Sequence, residues 1–264
     1  LTAPHAGKPI SKIPGVPIRT GKGVKKFSIR WDSNTNEIIR IVEKEIEKYI
    51  NRKPYVVMAK FSRKYADANR DPTSAFESYQ AMPFYFRYQN AVQDFVNEVK
   101  TKWGKGILID IHGQSKRPSV IWRGTLNGKS LTYFINCNGW DTIYGSKGLL
   151  GILKQKGYTI YPSEPYGKEA PYNGGYTIAK YGSHTDNGID AIQLEIGSNF
   201  RSNNTVLTKF SKDLAKAIII FYQEIIQSIE CKHENKKSDF VSYQREHYLK
   251  STLSITKIQS NGAN

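Results

Sequence analysis

Apolar residues in this chain recur with two periods, and the switching between them lays out alternating helices and strands. Ile38, Ile39, Val42, Ile46, Tyr49 and Ile50 fall at helical spacing, which predicts a helix ending near Ile50 with Asp32, Ser33 or Asn34 as its cap. Residues 55–59 form a short strand-like run. Helical spacing returns at Tyr88, Ala91, Val92, Phe95, Val96, Val99 and Trp103. Residues 107–111 are a nearly continuous apolar run, as in a strand buried on both faces of a parallel sheet. Residues 120–125 and 131–135 flank Asn127-Gly128, which predicts a hairpin and an antiparallel edge. Residues 149–155 read as a helix, and 158–161, 176–181 and 191–196 as strands. The stripe Leu207, Phe210, Leu214, Ala217, Ile218, Phe221, Ile225 and Ile226 predicts that residues 205–229 form the longest helix.

Between these elements, residues 1–31 are rich in Gly, Pro and Lys and read as loop, and 72–83 as irregular. Residues 162–175 form a long loop with Gly, Pro and Tyr, suited to cover a site. After Glu230 the chain turns polar, so one domain over 1–230 and an extension over 231–264 are expected. The alternation of strands and helices argues for a three-layer α/β/α fold around a mostly parallel, mixed sheet.

Composition narrows the class. Hydrophobic residues at 39% and charged residues at 23% describe a chain able to bury a core. No apolar run reaches the ~18 residues of a membrane span. The net charge of +16 favours anionic partners: nucleic acid, a small anionic substrate or an acidic polymer. Two cysteines, Cys137 and Cys231, without a C-x-x-C pair exclude a cysteine zinc site. The chain opens on Leu1 rather than Met, so it reads as processed, which is compatible with secretion.

Of five histidines, His233 and His247 fall in the polar extension, leaving His5, His112 and His184 in the body. His112 follows a buried strand, and ligands in open α/β sheets gather at carboxyl strand ends. A structural histidine is the plainer alternative. Catalytic zinc takes three protein ligands and keeps one open position. His5 and His112 supply two, and Asp32 is the choice for the third, although an Asp there also suits a helix cap. Asp67 and Asp110 are candidates to fix the imidazole tautomers. Glu195 ends an apolar strand, where burial raises a carboxyl pKa and suits a general base. The same pattern fits a half-exposed strand with Gln193 and Glu195 facing solvent. Asn69-Arg70 offers an amide and a guanidinium fork for a substrate carboxylate, and Arg63 stands near enough in sequence to face an oxyanion.

These residues resemble a known superfamily. Asp67-Ala68-Asn69-Arg70 is similar to the Asp-x-Asn-Arg segment of zinc carboxypeptidases, where Asp supports a metal-bound His while Asn and Arg grip the substrate carboxylate. Asp110-Ile111-His112 resembles their second zinc-histidine strand, and Glu195 their late general base. Closer still is the N-formylglutamate amidohydrolase family, similar to Pro4-His5-Ala6-Gly7, Asp32-Ser33-Asn34-Thr35, the 62–70 segment, Asp110-Ile111-His112-Gly113 and Gln193-Leu194-Glu195-Ile196 in that order. The resemblance spans residues 3–225 and implies a zinc carboxypeptidase-like fold. One departure stands out: Lys8 occupies the place of Glu in the carboxypeptidase His-x-x-Glu.

The resemblance implies a Zn²⁺-dependent amidohydrolase with His5, Asp32 and His112 as metal ligands and Glu195 and Arg63 as catalytic groups. Asn69 and Arg70 would hold a carboxylate beside the scissile amide, with Tyr172 or Tyr176 closing over it. A metallo-carboxypeptidase acting on a peptide C-terminus, or a poly-glutamate hydrolase, is the alternative within the class. The high charge motivates a reading from another class, a polyanion-binding or structural protein with a degraded site.

Overall fold

The computed structural model describes residues 1–231. The chain divides into two units, Leu1–Ile229 and Glu230–Asn264, and the fold is that of the first. The polar extension, with His233 and His247, lies outside the described residues apart from its first position. Neither Cys137 nor Cys231 is a free thiol.

Six strands make one sheet: β1 (Thr2–Ala3), β2 (Val57–Met58), β3 (Ile107–Gln114), β4 (Val120–Gly124), β5 (Thr159–Tyr161) and β6 (Asp190–Gly197). Their order is β2-β1-β3-β6-β4-β5. The pairs β1 with β2, β1 with β3, and β3 with β6 are parallel. Strand β4 runs antiparallel to β6 and parallel to β5. The sheet is therefore mixed and mostly parallel. The helices are α1 (Thr35–Ile50), α2 (Pro72–Ala75), α3 (Met82–Trp103), α4 (Thr132–Asn138), α5 (Asp141–Tyr144), α6 (Leu149–Gln155), α7 (Gly175–Tyr181) and α8 (Asn204–Phe221).

Strand alternation sorts side chains onto two faces. On one face Ile109, Ile111, Ile192 and Leu194 pack with Ile39 and Val42 of α1 and with Phe210 and Leu214 of α8. On the other, Leu108 and Ala191 pack with Tyr88 and Val92 of α3 and Ile178 of α7. Asp110 and His112 follow Leu108 by two and four residues, so they share its face. Gln193 and Glu195 share the face of Ala191 in the same way. The helical layers thus close over a row of polar side chains near the carboxyl ends of β3 and β6.

Packing, not capping, fixes α1. Its cap residue Asn34 is left-handed, with φ 63°, and makes no side-chain capping bond. A missing cap costs ~1 kcal/mol. Each buried aliphatic side chain contributes ~1.5–3 kcal/mol, and Ile38, Ile39, Val42 and Ile46 are all buried.

Several elements differ from the sequence expectation. The hairpin across Asn127-Gly128 does not form. Leu126, Asn127 and Gly128 all take positive φ, and the turn leads into a 3-10 turn and α4 instead of a returning strand. Leu131 and Phe134, three apart, are buried on that helical face. The antiparallel partner of β4 is β6, distant in sequence. Residues 176–181 belong to helix α7, because Ile178 and Tyr181 share one face toward the α3 core. Helix α8 stops at Phe221 and passes into a π-helical turn, Tyr222–Ile226. Among the described residues the longest helix is α3, with 22 residues against 18 in α8. Residues 72–83, expected to be irregular, include the short helix α2.

Candidate active site

Two loops and two strands converge at the carboxyl ends of β1, β3 and β6. His5 lies just after β1, Asp32 just before α1, His112 within β3 and Glu195 within β6. Adjacent β3 and β6 pair in register, so His112 stands directly beside Glu195. The Asp32 backbone N–H donates to the His5 carbonyl at 3.2 Å, tying the two loops together.

His5, Asp32 and His112 form a buried group whose ligating atoms all lie within 4.8 Å of one another. The Asp32 Oδ2 is 3.3 Å from His5 Nδ1 and 3.0 Å from His112 Nδ1, and accepts from the Gly113 backbone N–H at 3.1 Å. Each imidazole turns its other nitrogen to a second carboxylate. His5 Nε2 lies 2.7 Å from Asp67 Oδ1, and His112 Nε2 lies 3.0 Å from Asp110 Oδ2. Asp110 also accepts from Thr2 Oγ1 at 2.6 Å. Those outer carboxylates hold the proton on Nε2. A neutral ring so held aims a lone pair from Nδ1 at Asp32, acceptor against acceptor. The arrangement closes only around a positive charge.

The electrostatics agree. Burial opposes charge on His112, yet Asp110, Asp32 and Glu195 together push its pKa well above the usual value. Burial would raise Asp32, but His5 and His112 hold its carboxyl far below the usual range. Asp67 is likewise held low against burial by His5, Arg63 and Arg19. Glu195 goes the other way: burial lifts its pKa to about 7, even with the imidazoles nearby. Its Oε1 lies 4.0 Å from His112 Nδ1. Glu195 and Gln193 are both buried, so the half-exposed strand does not occur.

Two imidazole nitrogens and a carboxylate oxygen suit zinc, a borderline ion that accepts nitrogen and oxygen ligands together. The buried carboxylates of Asp67 and Asp110 supply the outer support such ligands need. The residues present therefore fit a divalent metal of this class. The third histidine of the body, His184, is not part of this group.

The remaining residues singled out from sequence are placed differently. Arg63 donates from Nε to Asp67 Oδ2 at 2.8 Å. Arg70 also reaches Asp67, at 3.1 Å, and its two Nη groups donate to the carbonyls of Lys25 and Lys26. Asn69 Oδ1 accepts from the backbone N–H and hydroxyl of Thr177, and its Nδ2 lies 3.3 Å from His112 Nε2. Both Asn69 and Arg70 are thus engaged in holding α7 and the 25–26 loop around the site. Tyr172 is edge-on to Trp122 at 5.5 Å, with its pKa raised by burial and by Glu195 and Asp32. Tyr176 lies instead beside Tyr85 and Lys180.

Two buried arginines outside the sequence expectation support the site. Arg201 donates to the carbonyls of Ile196, Ser33 and Gln114 and to the Ser33 hydroxyl. It clamps the Asp32 loop to the ends of β3 and β6. A Cβ on Gly113 would lie 2.5 Å from its Cζ, so this approach requires glycine. Arg123 donates to Glu169 at 2.6 Å, and Glu169 accepts from the backbone of Thr125 and Asn127. That pair pins the 162–175 loop, which carries Tyr172. An arginine inside Ile121-Trp122-Arg123 was the available hint, since a buried cation needs a partner.

No protein-family model matches the chain, and no curated protein matches its sequence. Among solved structures, N-formylglutamate amidohydrolase from Ralstonia eutropha JMP134 is similar over 85% of this chain and 92% of its own, with 17% identity and a TM-score of 0.56. The gene product Atu2144 from Agrobacterium tumefaciens is similar over 85% and 90%, with 15% identity and a TM-score of 0.55. At such identities the likeness is one of fold, the fold that the ordered motifs implied.

Proposed function

We propose that this chain is a zinc-dependent amidohydrolase acting on an amide bond next to a substrate carboxylate, as in an N-acyl amino acid. The observation that carries the reading is the convergence of His5, Asp32 and His112 on one point, with Glu195 adjacent and poised near neutral pKa. The shared fold with an N-formylglutamate amidohydrolase supports it.

His5 Nδ1, Asp32 and His112 Nδ1 would hold the ion. When bound, a metal of this class acidifies water and polarises a carbonyl. Glu195 takes the proton from the attacking water. Burial favours the protonated form of Glu195, which strengthens it as an acceptor of that proton, and it gives the proton up again to the leaving nitrogen. Arg63 contributes only Nε to Asp67, and its Nη groups make no hydrogen bond among the described residues. They are free to face the oxygen that gains charge on attack. Asp67 and Asp110 keep the imidazole rings oriented throughout. Tyr172, on the loop pinned by Arg123 and Glu169, covers the Glu195 side.

The test follows release of primary amine from N-formylglutamate and N-acetylglutamate. Hydrolysis that stops with a chelator and returns with added zinc is the expected result. Hydrolysis unaffected by complete metal removal would overturn the mechanism.

A further inference from the structure

The sheet register extends the site in one direction. His112 pairs with Glu195, Glu195 with Trp122, and Trp122 with Tyr161. Residues paired across strands project from the same face, so these four make a single row over β3, β6, β4 and β5. The row begins at a metal-ligand candidate and ends in aromatic rings. Trp122 and Tyr161 are in contact, with ring centroids 4.2 Å apart. The Arg117 guanidinium lies over both, 5.4 Å from the indole and 5.2 Å from the phenol ring. Tyr172 closes on the indole from its edge.

Arg117 differs from the other arginines of the site. Arg63 and Arg70 are paired with Asp67, and Arg201 is bonded to three backbone carbonyls. Among the described residues, the Arg117 guanidinium has no carboxylate within ion-pair distance. Its backbone is fixed nonetheless. Gln114 accepts from the Arg117 N–H at 2.9 Å and donates to the Arg117 carbonyl at 2.7 Å. In the same cluster the buried Trp122 Nε1–H also has no acceptor. The result is an exposed cation, oriented by stacking, with its donors available.

We infer that Arg117, resting on Trp122 and Tyr161, is the residue that selects a carboxylate on the leaving amine of the substrate. The inference builds on the amidohydrolase reading above. Glu195 must reach the leaving nitrogen to protonate it. The next group outward along the row from Glu195 is the aromatic pair with Arg117. An amino acid departing past Glu195 therefore brings its carboxylate against the exposed guanidinium fork that the buried Trp122 and half-buried Tyr161 hold in place. Asn69 and Arg70, expected from sequence to make this grip, are already engaged with Thr177, Asp67 and the 25–26 loop. The substrate class is an N-acyl amino acid with a free carboxylate on the amine side.

The experiment compares N-acetylglutamate with its uncharged isostere N-acetylglutaminamide, using the full chain, R117M and R117K. Met keeps an apolar stem on the rings and removes the fork. A charge-assisted hydrogen bond to carboxylate predicts that the preference for N-acetylglutamate, as a ratio of kcat/KM values, falls about 10- to 100-fold in R117M. R117K restores part of it. Calorimetric binding of N-acetylglutamate to the same proteins is measured in parallel, with the affinity expected to weaken by a similar factor. Hydrolysis with an unchanged ratio in R117M overturns the role of Arg117 and leaves the amidohydrolase reading standing. Binding that depends on Arg117 without any hydrolysis does the reverse. Absence of both binding and hydrolysis overturns both.

Discussion

Replacing Asp67 with Asn tests how the site holds its charge. Asp67 is fully buried, and its Oδ1 accepts from His5 Nε2 at 2.7 Å and from the Asn69 N–H at 3.1 Å. Its Oδ2 accepts from Arg63 and Arg70 at 2.8 and 3.1 Å, and Arg19 lies at 3.8 Å. Asn has the same shape but half the acceptor capacity and no charge. Whichever way the amide turns, an N–H₂ meets a donor, and three guanidinium groups lose their counter-charge. Breaking a buried ion pair by removing one partner costs ~3–5 kcal/mol. For a domain of this size that corresponds to a fall in Tm of roughly 6–20 °C. Losing the carboxylate behind His5 also weakens metal affinity by about 10- to 100-fold. The sign with pH is fixed, since the folded pKa of Asp67 is depressed. The wild-type advantage holds above roughly pH 4 and is lost as pH falls through the folded value. Thermal and denaturant melts with a chelator present separate the electrostatic loss from metal linkage, and competitive zinc titration reads the affinity. A chelated Asp67→Asn protein melting within ~2 °C of wild type at pH 7 would refute the reasoning.

Two further substitutions probe groups whose burial raises their pKa. Glu195→Gln keeps the shape of a side chain that is not among the candidate ligands. Its hydrolysis rate should fall by about 10²- to 10⁴-fold while zinc stoichiometry stays unchanged, and retention of a tenth of the activity would remove Glu195 as the base. Asp190 is buried, with its pKa raised from 3.8 to about 7, and accepts from Ser183 Oγ at 2.7 Å. A raised pKa contributes stability below the unfolded value that is lost as pH rises through the folded one. Asp190→Asn keeps an acceptor for Ser183, so it should be more stable than wild type at pH 8, by up to ~4 kcal/mol from a shift of about three units, and near parity at pH 4. Equal denaturation midpoints at both pH values would contradict this.

Much of the layout was legible because buried strands and amphipathic helices carry strong periods. The apolar run over 107–111 and the stripe of α1 left little choice of element. The hairpin failed for a local reason: Asn127-Gly128 marks a turn, but a turn does not say whether the chain returns as strand or helix. The stretch 176–181 is too short for its period to separate helix from strand, and tertiary packing of Ile178 and Tyr181 decided it. At the site, residue types with few alternative uses stood out, such as His112 beside an apolar run, which the structure places inside β3 rather than after it, or Asp67 before Asn69-Arg70. Two of the arginines did not. Arg117 and Arg201 carry no local mark in the sequence, and only the positions of carbonyls, carboxylates and rings distinguish a clamp from an open fork. Those positions come from segments up to 168 residues away in the chain, as with Arg201 and Ser33.

The central claim is that His5, Asp32 and His112 bind one divalent ion together. Its most direct measurement is the zinc content of the purified protein after equilibration with the metal and removal of excess. One zinc per chain is expected, and loss of that zinc in each of His5→Ala, Asp32→Ala and His112→Ala when the variants remain folded. Folded variants that retain a full equivalent, or a wild-type protein that takes up none, would contradict it.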